Sequence, residues 1–223
     1  TVIALHDYRL PANIENLTVL DPLIPDFETF SLIPYGSLGI SVAGYGNDLD
    51  NRLTGGRSNN VLDGGFGVDT LIGSEGDDTY VVDHIDDRVT EMPGEGIDTV
   101  WSSVSHTLDA HVEHLRLTGT EAIDGIGNNL DNQLLGNDAS NVLDGGAGND
   151  ILNGEEGADT FLFGLGAGQD TVGDTTQTGA VDTVQVKAGL APSDISVFRR
   201  GEDLVLNIAG TTNELAFANF YGP

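Results

Sequence analysis

Gly64-Gly65-Phe66-Gly67-Val68-Asp69-Thr70-Leu71-Ile72 is the stretch that decides how this chain folds. It reads G-G-x-G-x-D-x-L-x, and its neighbours at nine-residue steps repeat it. Upstream, Gly55-Gly56-Arg57-Ser58-Asn59-Asn60-Val61-Leu62-Asp63 keeps the glycine pair and the leucine, and places Asn60 where the acid stood. One step earlier Gly46 opens a unit with Asn51 and Leu53, and one step later Gly73 opens another with Gly76, Asp78 and Tyr80. Glycine at the first, second and fourth places permits backbone angles closed to other residues. The last three residues alternate as a short strand. Leu53, Leu62, Leu71 and Tyr80 are therefore expected to point inward as a stacked core.

Two units make one coil, so each unit lies over the one eighteen residues on. That stacks Asn51 on Asp69 and Asn60 on Asp78, level with the glycine carbonyls. Carboxylates and carbonyls around a flexible cavity suit calcium, whereas magnesium wants a tighter octahedron. Nonapeptides of this form are a known calcium-binding β-helix repeat. Without a cation the stacked acids would face one another, and the coil is expected to loosen.

Composition narrows the function. Among 223 residues stand 36 acids against 8 bases, a formal charge of −28. Such a surface repels nucleic acid and anionic membranes and attracts divalent cations. Acidity with few aromatics also marks disordered chains. Here, however, acids and glycines recur at fixed intervals with Leu, Val and Ile between them. Cysteine is absent, which excludes a disulfide framework and thiol chemistry. No apolar run approaches the ~18 residues of a membrane span, and no basic-then-apolar leader opens the chain. The start at Thr1 leaves open that the sequence is a fragment whose targeting region lies elsewhere.

The chain duplicates itself. Tyr8-Arg-Leu-Pro-Ala-Asn-Ile-Glu-Asn-Leu aligns with His106-Thr-Leu-Asp-Ala-His-Val-Glu-His-Leu, ninety-eight residues on. Gly44-Tyr-Gly-Asn-Asp-Leu-Asp-Asn aligns with Gly125-Ile-Gly-Asn-Asn-Leu-Asp-Asn, but only eighty-one residues on. The difference of seventeen is the length of a Pro-rich stretch, 21–37, which is an insertion in the first copy. The second array opens units at Gly127, Gly136, Gly145 and Gly154. Its acid slots hold Asn132, Asn141, Asp150 and Asp159, and its apolar slots Leu134, Leu143, Leu152 and Phe161. In both arrays two amide units precede two acid units. Four regions follow: 1–43, N-terminal strands with the insertion; 44–100, first array and spacer; 101–182, spacer strands and second array; 183–223, a strand-rich cap. Within the last, Asp182–Val186, Ile195–Arg199, Asp203–Ile208 and Glu214–Phe220 read as strands, suited to cover the open end of a repeat array.

These motifs resemble the RTX, or haemolysin-type, calcium-binding repeat proteins. Gly64–Ile72 and Gly145–Asn153 match the repeat fully. The spacers Asp78-Thr-Tyr-Val-Val-Asp83, Gly96-Ile-Asp98-Thr-Val100 and His114-Leu-Arg-Leu-Thr-Gly119 are similar to those between such arrays. Residues 195–207 resemble a strand-rich domain often found after them. The resemblance implies an all-β fold, a parallel β-roll (right-handed β-solenoid) that holds several calcium ions. It also implies the ligands. Gly65, Gly67 and Asp69 form one half-site, with Gly146, Gly148 and Asp150 its equivalent. Gly73, Glu75 and Asp78, and Gly154, Glu156 and Asp159, supply the opposite halves, and first-position carbonyls such as those of Gly64 and Gly145 contribute. The departure is Asn at 51, 60, 132 and 141, where a neutral oxygen still binds but with less charge per site. Secretion through a one-step channel and folding on extracellular calcium are further implications, with affinities of ~10⁻⁴–10⁻³ M suited to that setting.

Other readings compete. Turn-capping would explain single acids but not an acid at each sixth place. Asp87 keeps the register of Asp69 in a turn without glycine, which leaves ligand and solvated acid equally open. Asp98 and Asp170 sit in single Gly-x-Asp-Thr-Val units, where a solvated acid is favoured over a metal ligand. His106, His111 and His114 align with Tyr8, Asn13 and Asn16, which form no metal trio, so turn and surface roles are expected. Tyr35-Gly36-Ser37-Leu38-Gly39 lacks the first glycine of a nucleophile elbow, and Lys187 lies outside any phosphate loop. The sequence thus reads as a non-catalytic calcium-binding β-roll of a secreted or surface protein. Its alternatives are an adhesin or surface-layer element with 21–37 as contact loop, and the non-catalytic C-terminal part of a secreted protease, lipase or epimerase. The partners expected are calcium ions, with a secretion channel or a cell-surface partner as further candidates and no nucleic acid.

Overall fold

Three strand residues after six turn residues leave little freedom: each strand can pair only with the strand one full coil away. A computed structural model of the chain describes residues 2–4, 7–19, 23–25, 32–34, 42–173 and 180–221. It divides into two units, residues 1–104 with 109–112, and residues 105–108 with 113–223. Among the described residues there is no α-helix, only one 3-10 turn at Pro192–Asp194, and no helix long and apolar enough to cross a membrane.

In the first unit, one parallel sheet runs Val2–Ala4, Asn16–Val19, Arg52–Thr54, Thr70–Ile72, Arg88–Thr90. A second runs Tyr8–Arg9, Val42–Tyr45, Asn60–Asp63, Thr79–Val82, Thr99–Ser102. Successive units alternate between the two sheets. Leu53 is therefore opposite Leu71 in one, and Leu62 opposite Tyr80 in the other. These four side chains are at 0% exposure, and Leu17, Val89 and Val100 extend the two files. The parallel roll and its inward-facing core are as the period predicts.

The second unit repeats the plan. His106–Thr107, Gly125–Ile126, Val142–Asp144, Thr160–Phe163 and Thr183–Val186 form one parallel sheet. His114–Leu117, Gln133–Leu135, Ile151–Asn153 and Gln169–Val172 begin the other. The tail then joins that sheet. Glu214–Phe217 pairs parallel with Gln169–Val172, and Asp203–Ile208 and Ile195–Arg200 follow antiparallel. Phe217 packs edge-on against Phe161, ring centroids 5.9 Å apart, so the tail closes the core file it extends.

The registers also fix the insertion. Leu17 pairs with Leu53 across thirty-six residues, while Leu115 pairs with Leu134 across nineteen. The excess is seventeen, the length of 21–37. Inside it, Leu23–Pro25 and Leu32–Pro34 form an antiparallel ribbon; Tyr35–Gly39 lies outside the described residues. The duplication extends to backbone detail. Asn13 and His111, ninety-eight residues apart, both take left-handed angles, φ 72° and 69°.

Candidate metal centres

The strands carry the loops, and the loops place the acids in columns. In the first unit the backbone N–H of Asn51 donates to Asp69 Oδ1 at 2.7 Å, and that of Asp69 to Asp87 Oδ1 at 2.8 Å. On the other sheet Asn60 N–H donates to Asp78 Oδ1 at 2.6 Å, and Asp78 N–H to Asp98 Oδ1 at 2.8 Å. The second unit runs Asn132 to Asp150 to Asp170, and Asn141 to Asp159 to Asp182. Each acid thus spends one oxygen on the turn stacked before it.

The other oxygen is different. Oδ2 of Asp69, Asp78 and Asp150 is buried and accepts no hydrogen bond. It points at the first glycine of its own loop. A Cβ added to Gly64 would lie 1.9 Å from Asp69 Oδ2, and one on Gly145 2.2 Å from Asp150 Oδ2. Gly154 stands in the same relation to Asp159 Oδ2, at 2.1 Å. Only a residue without a side chain leaves that space open to the carboxylate.

The loop backbone follows suit. Second positions adopt left-handed φ in Gly65 (79°), Ser74 (75°), Gly146 (93°) and Glu155 (65°), which tolerates other residues. Fourth positions reach 122° at Gly67, 124° at Gly76 and 132° at Gly148, where glycine alone fits. The Glu75 and Glu156 side chains are exposed.

The amide units behave otherwise. Oδ1 of Asn51, Asn60, Asn132 and Asn141 accepts from the second residue of its own loop at 2.7–2.9 Å. The Nδ2 groups of Asn60, Asn132 and Asn141 donate to Val42, Glu113 and Ile123 carbonyls of the preceding coil. An amide carries both a donor and an acceptor, so it satisfies this position by itself. Asp87 resembles them: its Oδ2 accepts from the N–H groups of Asp83 and His84 at 3.2 and 3.1 Å. Its carboxylate caps its own turn.

One expected grouping is corrected. The loops at Gly64 and Gly73 feed different sheets, so Asp69 and Asp78 stand in separate columns. The same holds for Asp150 and Asp159. The loop that faces Asp69 is one full coil away, at Asn51 or Asp87, and is not the loop of Gly73. Sequence reasoning also favoured solvated acids at Asp98 and Asp170 and did not select Asp182 or Glu91. The first three follow their partners by twenty or twenty-three residues instead of eighteen, because the spacers lengthen the loops. Their signal is the Asp-Thr-Val ending at 98–100, 170–172 and 182–184.

Burial without compensation raises these acids. Asp69 is pushed up to about 7, first by burial and then by the charges of Asp87, Asp83 and Asp50, against the Asn51 N–H that lowers it. Asp78 rises to about 8 by burial, with Asp98, Asp77 and Glu95 adding repulsion and the Asn60 N–H opposing. Asp150 reaches about 6 and Asp170 about 7, burial again the largest cause. Glu91 rises to about 9 through burial and the charges of Asp98 and Asp78, with Glu95 beside them. Buried oxygens in files, without hydrogen bonds, fit a hard cation with oxygen ligands. Among the described residues, the one trio of His, Cys, Asp or Glu side chains close enough to share an ion is Asp78, Glu91 and Asp98.

Comparison with known proteins agrees with the repeat. Residues 45–80, 126–161 and 135–172 match the family model of the RTX calcium-binding nonapeptide repeat (4 copies). Curated proteins gave no match. Among solved structures the chain is similar to the extracellular lipase LipA from Serratia marcescens, with 16% identity and a TM-score of 0.32. That likeness covers 80% of this chain and 37% of the lipase chain.

Proposed function

We propose that this chain, which carries RTX calcium-binding nonapeptide repeats, is the calcium-dependent folding module of a secreted protein. The observation that carries this reading is the file of buried Asp Oδ2 atoms without hydrogen bonds, each aimed at a glycine of its own loop. Asp69, Asp78, Asp150 and Asp159 anchor the ions. Each acts with carbonyls of its loop: Gly65 and Gly67, Gly73 and Glu75, Gly146 and Gly148, Gly154 and Glu156. Bound calcium supplies the positive charge these columns lack, so that binding free energy becomes folding free energy. The Asn units and Asp87 close the columns with amide hydrogen bonds where no further charge is needed.

Such a chain stays loose where calcium is scarce and closes where it reaches millimolar levels, which suits passage through a channel and folding outside the cell. Its net charge of −28 keeps the loose form soluble and self-repelling. The test is circular dichroism of the chain in chelator and in calcium at neutral pH. A cooperative gain of β signal on adding calcium is expected. The same folded spectrum in both conditions would remove the reading.

A further inference from the structure

We propose that the loop opened by Gly73 holds a divalent cation through a ligand set that the nonapeptide does not encode: the carboxylates of Asp78, Glu91 and Asp98, with the hydroxyl of Tyr80. The proposal rests on the calcium reading above and adds one site of distinct make-up to it.

Registry places Glu91. Strand Arg88–Thr90 pairs with Thr70–Ile72, residue for residue, so Glu91 follows Thr90 as Gly73 follows Ile72. One coil earlier that position is Gly55. Glu91 therefore takes the slot of a repeat-opening glycine. In the matching slot after Gly64 stands Val82, and after Gly145 stands Phe163. Both are apolar and at 0% exposure. Of these three column ends, only the one at Gly73 carries an acid.

Direction completes the case. A Cβ on Gly73 would lie 1.9 Å from Asp78 Oδ2, 2.1 Å from the Tyr80 hydroxyl and 2.5 Å from Glu91 Oε1. Three oxygens, from three residues of two segments, converge on Gly73. At Gly64, Gly145 and Gly154 the nearest three atoms all belong to the loop's own aspartate. Carboxylate oxygens of Asp78, Glu91 and Asp98 lie within 4.8 Å of one another. The four side chains are 1%, 6%, 1% and, for Tyr80, 0% exposed.

Tyr80 is the independent sign. Its hydroxyl is buried and makes no hydrogen bond, and the neighbour of the buried Glu91 carboxyl is another acid, Glu95. The corresponding inward residue of the second array is Phe161, which fills the core with no oxygen to satisfy. Packing alone therefore does not call for a phenol at Tyr80. A phenol oxygen and three carboxylates, with no nitrogen or sulfur among them, select a hard divalent ion such as calcium over zinc or copper. Three negative charges on one ion should also make this the tightest site in the chain.

The experiment is calorimetric titration of the full chain with calcium, for the wild type, Glu91→Gln and Tyr80→Phe. The expected result is that Glu91→Gln weakens the tightest event at least about tenfold and leaves the remaining events in place. Tyr80→Phe should weaken the same event by a smaller factor. Wild-type stoichiometry and affinities in Glu91→Gln would overturn the site and mark Glu91 as a buried neutral acid. If Glu91→Gln does not fold even in calcium, Tyr80→Phe decides: an unchanged isotherm overturns the site. A wild type that binds no calcium would instead sink the repeat reading itself, a result separate from either variant's.

Discussion

The two arrays begin alike and end differently. Each runs two amide units into two acid units, and in each the acids stack on the amides through the same N–H to Oδ1 bond. Every column ends on a further aspartate, Asp87 and Asp98 in the first array and Asp170 and Asp182 in the second, and the first array adds Glu91 beside Asp78 and Asp98. In the second, the chain's lysine reaches in: Lys187 Nζ lies 2.7 Å from Asp144 Oδ1. Asp144 and its first-array equivalent, Asp63, both accept from the N–H two residues on, at Gly146 and Gly65, so the lysine is what the second array adds. Burial pushes Asp69 and Asp78 up to about 7 and 8 in the first array, and Asp150 and Asp170 up to about 6 and 7 in the second. The nonapeptide sets where a column runs, and the residues that end the column set how much charge it must hold.

That difference predicts unequal dependence on calcium. In chelator at neutral pH, hydrogen exchange should open strands Asn60–Asp63 and Thr79–Val82 before Val142–Asp144 and Thr160–Phe163, by the largest margin of any comparison here. Equal rates would erase the distinction between the arrays. Core truncation should be blind to it. Leu71→Ala and Leu152→Ala remove matching side chains at 0% exposure, and each should cost about 2–5 kcal/mol in calcium. Denaturant melts that differ widely between the two would mean that the cores are not equivalent.

pH sharpens the comparison. These acids are raised in the fold from usual values near 4, so the folded chain binds more protons than the unfolded one across that window. Stability of the calcium-free fold is then greatest below about pH 4 and falls as pH rises towards the folded values near 7 to 9. Calcium-free chain should accordingly show more β signal at about pH 5 than at about pH 8, with the first array gaining most. A flat profile would contradict the buried charge. The smallest effect belongs to the surface: Arg57 lies 3.9 Å from Glu75, both well exposed, and Arg57→Ala should leave thermal stability within about 0.5 kcal/mol.

Much of this was readable in the sequence because period carries geometry. Nine residues per strand and eighteen per coil named Leu53, Leu62, Leu71 and Tyr80 as core and stacked Asn51 on Asp69 before any coordinate. The insertion was readable because a duplication gives a ruler, and Leu17–Leu53 against Leu115–Leu134 measures it. The half-sites that the resemblance implied did not follow that stacking. Adjacent units look like neighbours along the chain, but alternation between sheets sends Asp69 and Asp78 to different columns. Glu91 was hidden for a related reason: it stands eighteen residues after Gly73, in a turn that keeps Gly94 and Gly96 but carries an acid where the opening glycine belongs. Strand ends differed by a residue or more, as where Glu214–Phe220 proved to be Glu214–Phe217.

The central claim is that cations complete these columns, and a crystal of the chain grown with calcium, read by anomalous scattering, tests it most directly. The account predicts calcium peaks beside Oδ2 of Asp69, Asp78 and Asp150, within the carbonyls of their loops. Crystals that place no ion there, with those oxygens turned instead to hydrogen bonds within the protein, would contradict it.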